Sequence, residues 1–424
     1  MKREKFIING GKELNGVITN QTSKNAILPI MSACLLTKGK TVLNSYPRII
    51  DVDNMIAILK KLGASVRRID KSLTINTNLV NSAFVDYKLS KTMRSSIFLL
   101  GSLLARFKSA CITMPGGCAI GKRPIDIHLS AFKKLGVKIN FVEDNIFFDA
   151  TKAKPTTIKL KLPSVGATEN IIQFCSLLKG KTTILNAARE PEVADLCNFL
   201  NKMGARILGA GTSKITIYGV DKLIPTSYKP IGDRITSGTI MLAVAICGGD
   251  VTINNACPHE NLKLIEKLCS MGCQIDVKND IIHIRNTNNL ISPKVIKTSY
   301  YPKFPTDLQS QMLVACCVVK GETIITETVF ENRFQIIDQL RTMGAKIIQN
   351  NCNSVKILGN AQLHGANVVA KDLRGGAALV LAGLAAKGIT TVSQIKFVDR
   401  GYEELEKTLS ILGADIKREW KKVK

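Results

Sequence analysis

The sequence predicts an α/β protein of inside-out build: two domains of three repeats each, with helices buried at the centre and sheets outside. Three observations predict it. First, a Leu/Met-Gly-small triplet recurs six times, with its glycine at 63, 136, 204, 272, 344 and 413. A period of roughly 70 residues, sustained along the chain, marks a repeat architecture. Second, each unit carries a helix-length stretch that is apolar nearly all round, such as DRITSGTIMLAVAI (233–246) and DLRGGAALVLAGLA (372–385). A helix of that kind belongs in an interior, where a doubly wound sheet would instead show an all-apolar strand. Third, short β-branched runs such as TTILN (182–186) and TIIT (323–326) follow those helices. Six such units exceed one ordinary core, and the turn-rich DKLIPTSYKPIG (221–232) is the natural break.

Within a unit the elements follow a fixed order. A polar start leads into the apolar helix. A turn, often Lys-Gly (38–39, 179–180, 320–321, 387–388), ends it, glycine there being free to take positive φ. The β-branched strand comes next, then a loop. An amphipathic helix such as NMIAILKKLGA (54–64) or EELEKTLSILGA (403–414) closes the unit at the repeat glycine.

Composition narrows the function classes. The chain has 424 residues, 45% of them hydrophobic, and a formal net charge of +26. Its lysines are scattered, with no basic block and no interleaved aromatic platform, so anionic small substrates fit better than nucleic acid. The 12 cysteines form no Cys-x-x-Cys pair and only four histidines exist, which argues against a structural metal site. The N-terminal MKREKFIING holds no apolar signal segment, and FLLGSLLA (98–105) is too short to span a bilayer. A cytoplasmic protein with no membrane partner and no cofactor is expected, and free thiols suit a reducing compartment.

What breaks the repeat locates the chemistry. The position opening each buried helix holds Lys24, Arg94, Gly166, Arg234, Asp307 and Arg374. Cations oppose the helix dipole at an N-terminus, and an anionic ligand would resolve that conflict; helix capping and solvated ends are the plain alternative. The loop after each unit's strand holds Arg48, Arg123, Arg189, His259, Arg333 and Arg400. In the second unit this connection is longer than in the others, and the excess lies in PGGCAIGKR (115–123). Cys118 fits either a small buried filler or a reactive thiol. The added length on an anion-facing edge and the adjacent Lys122 and Arg123 favour a lid carrying a thiolate. Asp307 is the one acid among the helix starts; it suits orienting or deprotonating a hydroxyl, or a salt bridge to a neighbouring arginine. Asn25 offers an amide to a carbonyl or hydroxyl, or a local cap.

These residues bring the chain into line with a known family. The stretches SKNAILPI (23–30), MPGGCAIGKRPIDIH (114–128), PSVGATEN (163–170), NAAREPEV (186–193), GDRITSGT (232–239), FPTDLQSQ (304–311), ITETVFENRF (325–334), DLRGGA (372–377) and VDRGYEEL (398–405) closely resemble the enolpyruvyl transferases that act on UDP-N-acetylglucosamine. The resemblance implies the inside-out fold with domains 22–230 and, because the N-terminal hairpin joins the second half, 1–21 with 231–424. It implies transfer of the enolpyruvyl group of phosphoenolpyruvate to the 3′-hydroxyl of UDP-N-acetylglucosamine, at the start of peptidoglycan precursor synthesis. Cys118 matches the proton donor, which can also form a covalent phospholactyl adduct and is alkylated by fosfomycin. Lys24, Arg123 and Arg400 match the grip on phosphoenolpyruvate, with Asp372 and Arg374 nearby. Asp307 matches the carboxylate on the sugar hydroxyl. Asn25, Arg94, Ser164, Val165, Gly166 and Val329 match contacts to the sugar nucleotide, and Arg123, Pro124, Ile125, Asp126 and Ile127 the segment at the uridine. Phe397, Thr236 and Thr22 depart from the usual His, Glu and Gly. The nearest competitor is the related synthase that uses shikimate-3-phosphate; the long Cys118 loop and PSVGATEN argue against it.

Overall fold

The computed structural model describes residues 3–85, 97–113, 121, 125–286 and 289–421. The chain divides into two compact units. One holds residues 22–231 apart from a short central segment containing Gly121; the other holds that segment together with the N-terminal residues to Gln21 and everything from Gly232 onward.

The apolar stretches do form interior helices. In the first unit these are Lys24–Ala33, Leu99–Phe107 and Val165–Cys175; in the second, Arg234–Cys247, Gln309–Val318 and Leu373–Ala385. The last is buried without a break from Arg374 to Leu384. Burying a helix on every side is open only to a sequence with no polar stripe, which is why the sheets are left to face water on one side. Their strands alternate accordingly: Glu322–Thr326 buries Thr323 and Ile325 and exposes Glu322 and Ile324.

Six sheets surround the helices among the described residues, five with four strands and one with three. The four-stranded ones share a plan. A short strand pairs in parallel with the strand that follows the core helix, and a hairpin extends the sheet antiparallel, as in Val295–Lys297, Glu322–Thr326, Ser354–Leu358 and Lys346–Asn351. The last repeat has too few strands of its own. Arg3–Asn9 fills the gap, pairing with Ile389–Ser393 on one side and Asp415–Lys421 on the other. Leu14–Thr19 then pairs in parallel with Gly249–Asn254. The two N-terminal strands are therefore structurally part of the second unit, but they lie in separate sheets and do not pair as the expected hairpin. In the three-stranded sheet, the parallel strand is reduced to one bridge, Phe84 to Cys111.

The amphipathic helices end at the six repeat glycines, whose φ values run from +84° to +113°. Only glycine adopts that region without strain, so the triplet marks a required left-handed stop after each outer helix.

Candidate active site

The caps at four core-helix starts come from a residue one or two places ahead of the helix-opening position, not from a cation. Ser23 accepts from the amide of Ala26, Ser164 from Ala167, Asp233 from Ile235 and Thr236, and Asp372 from Arg374 and Gly375. Capping therefore accounts for Ser164 and Asp372 and leaves Lys24, Arg234 and Arg374 for other work.

In the unit of residues 22–231, Lys24 opens its helix and its Nζ lies 2.7 Å from Asp51 Oδ2. The lysine side chain is 11% exposed and the aspartate 2%. Asp51 sits in the first turn of the helix Ile50–Lys61, where an acid complements the dipole. Asn25 is half-buried beside Lys24. At the third repeat, Gly166 is packed closely: a Cβ there would come within 3.1 Å of the Phe98 ring and 3.3 Å of His128. The buried His128 accepts from the amide of Asn170 at 3.1 Å, and Asn170 also binds Ile97 O and Gly101 N. This network joins the first turn of the helix Asp126–Lys134 and the first turn of the core helix Leu99–Phe107 to the middle of the helix Val165–Cys175. Ile125 is buried, Ile127 half-buried and Asp126 exposed at the first of these starts, with Val165 half-buried at the second.

In the other unit, Asp307 lies in the turn Thr306–Leu308 ahead of its core helix. Its Oδ1 is 2.5 Å from Arg333 Nη2 and its Oδ2 3.1 Å from Arg374 Nη2. The arginine side chains are 2% and 4% exposed, the aspartate 25%. Asp307 is thus salt-bridged to neighbouring arginines, and the carboxylate still reaches solvent. Arg374 lies over the ring of Tyr402 at 5.5 Å. Burial works against its charge, but Asp307, Tyr402 and Asp233 outweigh that and hold the guanidinium above its ordinary range. Its buried Nη1 makes no hydrogen bond among the described residues, so the group keeps unused donor capacity. Val329 follows Glu327, whose buried carboxylate accepts from the Val329 and Phe330 amides. Arg400 is half-buried at the end of the turn Ile395–Arg400, next to Asp399, which Arg418 grips at 2.7 and 3.0 Å.

Of the remaining expected residues, Arg94, Cys118, Arg123 and Pro124 lie outside the described ones. Among the described cysteines, burial pushes the Cys34, Cys175, Cys197, Cys247 and Cys273 thiols up to about 12, so these are core side chains and poor nucleophiles. Arg48 and Arg189 are exposed and, among the described residues, bond only backbone carbonyls, of Asp70 and Gly211. Of the family departures, Phe397 packs on the core with Lys396 over its ring. Thr236 lies in a helix first turn, its buried hydroxyl unbonded among the described residues. The sequence does not mark Asp51, Arg333 as a partner of Asp307, or Glu327; each is an ordinary charge there, and only its burial against a distant partner distinguishes it.

Comparison with known proteins fits this arrangement. The model of the EPSP synthase (3-phosphoshikimate 1-carboxyvinyltransferase) family matches residues 8–409. The chain belongs to this enolpyruvyl transferase family. A UDP-N-acetylglucosamine 1-carboxyvinyltransferase 2 of Caldanaerobacter subterraneus subsp. tengcongensis is 47% identical over 98% of this chain and 99% of its own. A UDP-N-acetylglucosamine 1-carboxyvinyltransferase of Trichlorobacter lovleyi is 42% identical over the same shares. Among solved structures, the enolpyruvyl transferase NikO from Streptomyces tendae matches over the full length of both chains with a TM-score of 0.90 at 22% identity. EPSP synthase from Acinetobacter baumannii has a TM-score of 0.75 at 19% identity, over 98% of this chain and 100% of its own. Both structures share the inside-out α/β fold of this family member. Among its described residues, no helix is long and apolar enough to cross a membrane.

Proposed function

We propose that this family member transfers the enolpyruvyl group of phosphoenolpyruvate to the 3′-hydroxyl of UDP-N-acetylglucosamine and releases phosphate, in the cytoplasm, as the first committed step of peptidoglycan precursor synthesis. Relatives of that name at 42–47% identity over nearly the whole chain support the acceptor. The observation that carries the chemistry is Asp307, kept partly open to solvent by two buried arginines.

In this reading Cys118 protonates C3 of phosphoenolpyruvate, and the electron pair of the double bond forms the new C–H bond. C2 becomes electrophilic, the sugar oxygen bonds to it, and the hydroxyl proton passes toward Asp307. The tetrahedral adduct then loses a C3 proton and phosphate, restoring the double bond. A positioned acid or base of this kind contributes roughly 10²–10⁴-fold. Lys24, Arg123 and Arg400 hold the phosphate and carboxylate, with Arg374 adding its spare donor. Asn25, Arg94, Ser164, Val165, Gly166 and Val329 contact the sugar nucleotide, and residues 123–127 the uridine. Asp372 acts through its cap on Arg374 rather than by touching substrate.

Shikimate-3-phosphate is the second acceptor to test, because the matching family model carries that activity in its description. Phosphate release is expected from phosphoenolpyruvate with the sugar nucleotide and not with shikimate-3-phosphate; the reverse overturns the assignment. Cys118→Ser is expected to lose turnover and labelling by fosfomycin together.

A further inference from the structure

Glu327 plays no part in the chemistry above, yet it joins two of its pieces. It follows the strand Glu322–Thr326 and is fully buried. Its Oε1 accepts from the Val329 amide at 2.8 Å and the Phe330 amide at 3.1 Å. Anchoring a local turn needs no more than that one oxygen. The other, Oε2, accepts from the Thr306 hydroxyl at 2.9 Å, 21 residues earlier in the chain. Thr306 immediately precedes Asp307.

The connection closes on itself. Arg333 Nε donates to Thr306 Oγ1 at 3.3 Å while its Nη2 holds Asp307. The same guanidinium lies 4.9 Å from the centre of the Phe330 ring. Glu327, Thr306, Arg333 and Phe330 thus form a ring of contacts between the turn bearing Asp307 and the turn bearing Val329. A second tie reinforces the latter: Thr328 bonds Thr298 through its amide at 3.1 Å and its hydroxyl at 2.7 Å. A buried carboxylate is costly unless every lone pair faces a donor, and here the donors come from both turns. Hydrogen bonds to a charged acceptor are also the stronger and more directional kind.

We infer that Glu327 is a positioning residue for the acceptor: its carboxylate sets the spacing between Asp307 and the Val329 backbone, and so places the attacking hydroxyl. This rests on the reading of Asp307 and Val329 as acceptor-facing groups. Positioning of this sort matters because small misplacements of reacting groups are expensive in rate.

Glu327→Gln is the discriminating variant. Its amide oxygen still accepts from both backbone amides, but the charged acceptor is gone: its NH₂ meets Thr306 only by donating to the hydroxyl oxygen that Arg333 Nε already bonds, so the charge-assisted link becomes a weaker neutral one. Thr306→Val cuts the same link from the other side, and Thr306→Ser keeps it. Steady-state phosphate release is measured for each, using whichever acceptor the wild type turns over. Glu327→Gln and Thr306→Val are each expected to raise the acceptor KM about tenfold and lower kcat severalfold, with the phosphoenolpyruvate KM nearly unmoved. Thr306→Ser should stay near wild type. The double variant should be no worse than Thr306→Val alone, since Thr306→Val already removes the Glu327 link together with the Arg333 Nε bond. A matched rise in both KM values, or a double variant that multiplies the two defects, overturns the inference. Wild type that uses only shikimate-3-phosphate sinks the sugar-nucleotide reading but leaves the positioning test intact on that acceptor. Wild type inactive with both acceptors overturns both.

Discussion

The two units solve the problem of a buried charge in opposite senses. In residues 22–231 the acid is the anchor: Asp51 is the more deeply buried partner, and Lys24 is the one with surface left over. In the other unit the cations are the anchors, for Arg333 and Arg374 are buried and Asp307 is half-buried. One unit offers a cation and the other an anion, from the same repeat position. The difference teaches that the repeat fixes where a charge is displayed, while its buried partner fixes which sign.

Asp307→Ala should have the largest effect. It removes the displayed anion and takes a partner from two buried guanidinium groups. Phosphate release should fall roughly 10²–10⁴-fold, and urea unfolding should show a loss of about 3 kcal/mol. Unchanged stability would mean the arginines do not depend on Asp307 and would break the comparison. Lys24→Met removes the displayed cation instead. The KM for phosphoenolpyruvate should rise roughly ten- to a hundredfold, as expected for one lost contact to a charged group, with little change for the acceptor. A larger effect on the acceptor KM would merge the two displays into one.

The smallest effect separates the units by pH. One turn into the core helices, the second unit has Ser237, Ser310 and Ala377, whereas the first has Ile27, Ile97 and one acid, Glu169. That carboxyl is fully buried, and neither oxygen has a hydrogen-bond partner among the described residues. Burial, then repulsion from Glu192 and Glu190, raises its pKa well above the usual carboxylate range. Its folded-state pKa exceeds the unfolded one, so the folded state holds the proton more tightly. That contribution to stability is present below the unfolded value and is lost as pH rises through the folded value. Glu169→Gln should therefore match wild type in mild acid and gain on it toward alkaline pH, read from urea midpoints at several pH values. A gap that does not change with pH would place the effect in packing.

Legibility followed range along the chain. The repeat glycines, the all-apolar helices and the Lys-Gly turns are local and periodic, so the inside-out fold could be read directly. Lys24, Asp307 and Arg374 stood out because they break a pattern, a charge where its neighbours are apolar. Asp51 and Glu327 break none. They matter through partners 27 and 21 residues away, at Lys24 and Thr306.

The sequence by itself determined the architecture, because helices with no polar stripe have to be buried and alternating strands have to cover them. It also set where charge would collect, at the helix starts. Tertiary structure decided which charges are anchors and which are displayed. That depends on relative burial, a property of the packed chain: Asp51 and Asp307 have the same side chain, and only the surrounding protein buries one and leaves the other partly open to solvent.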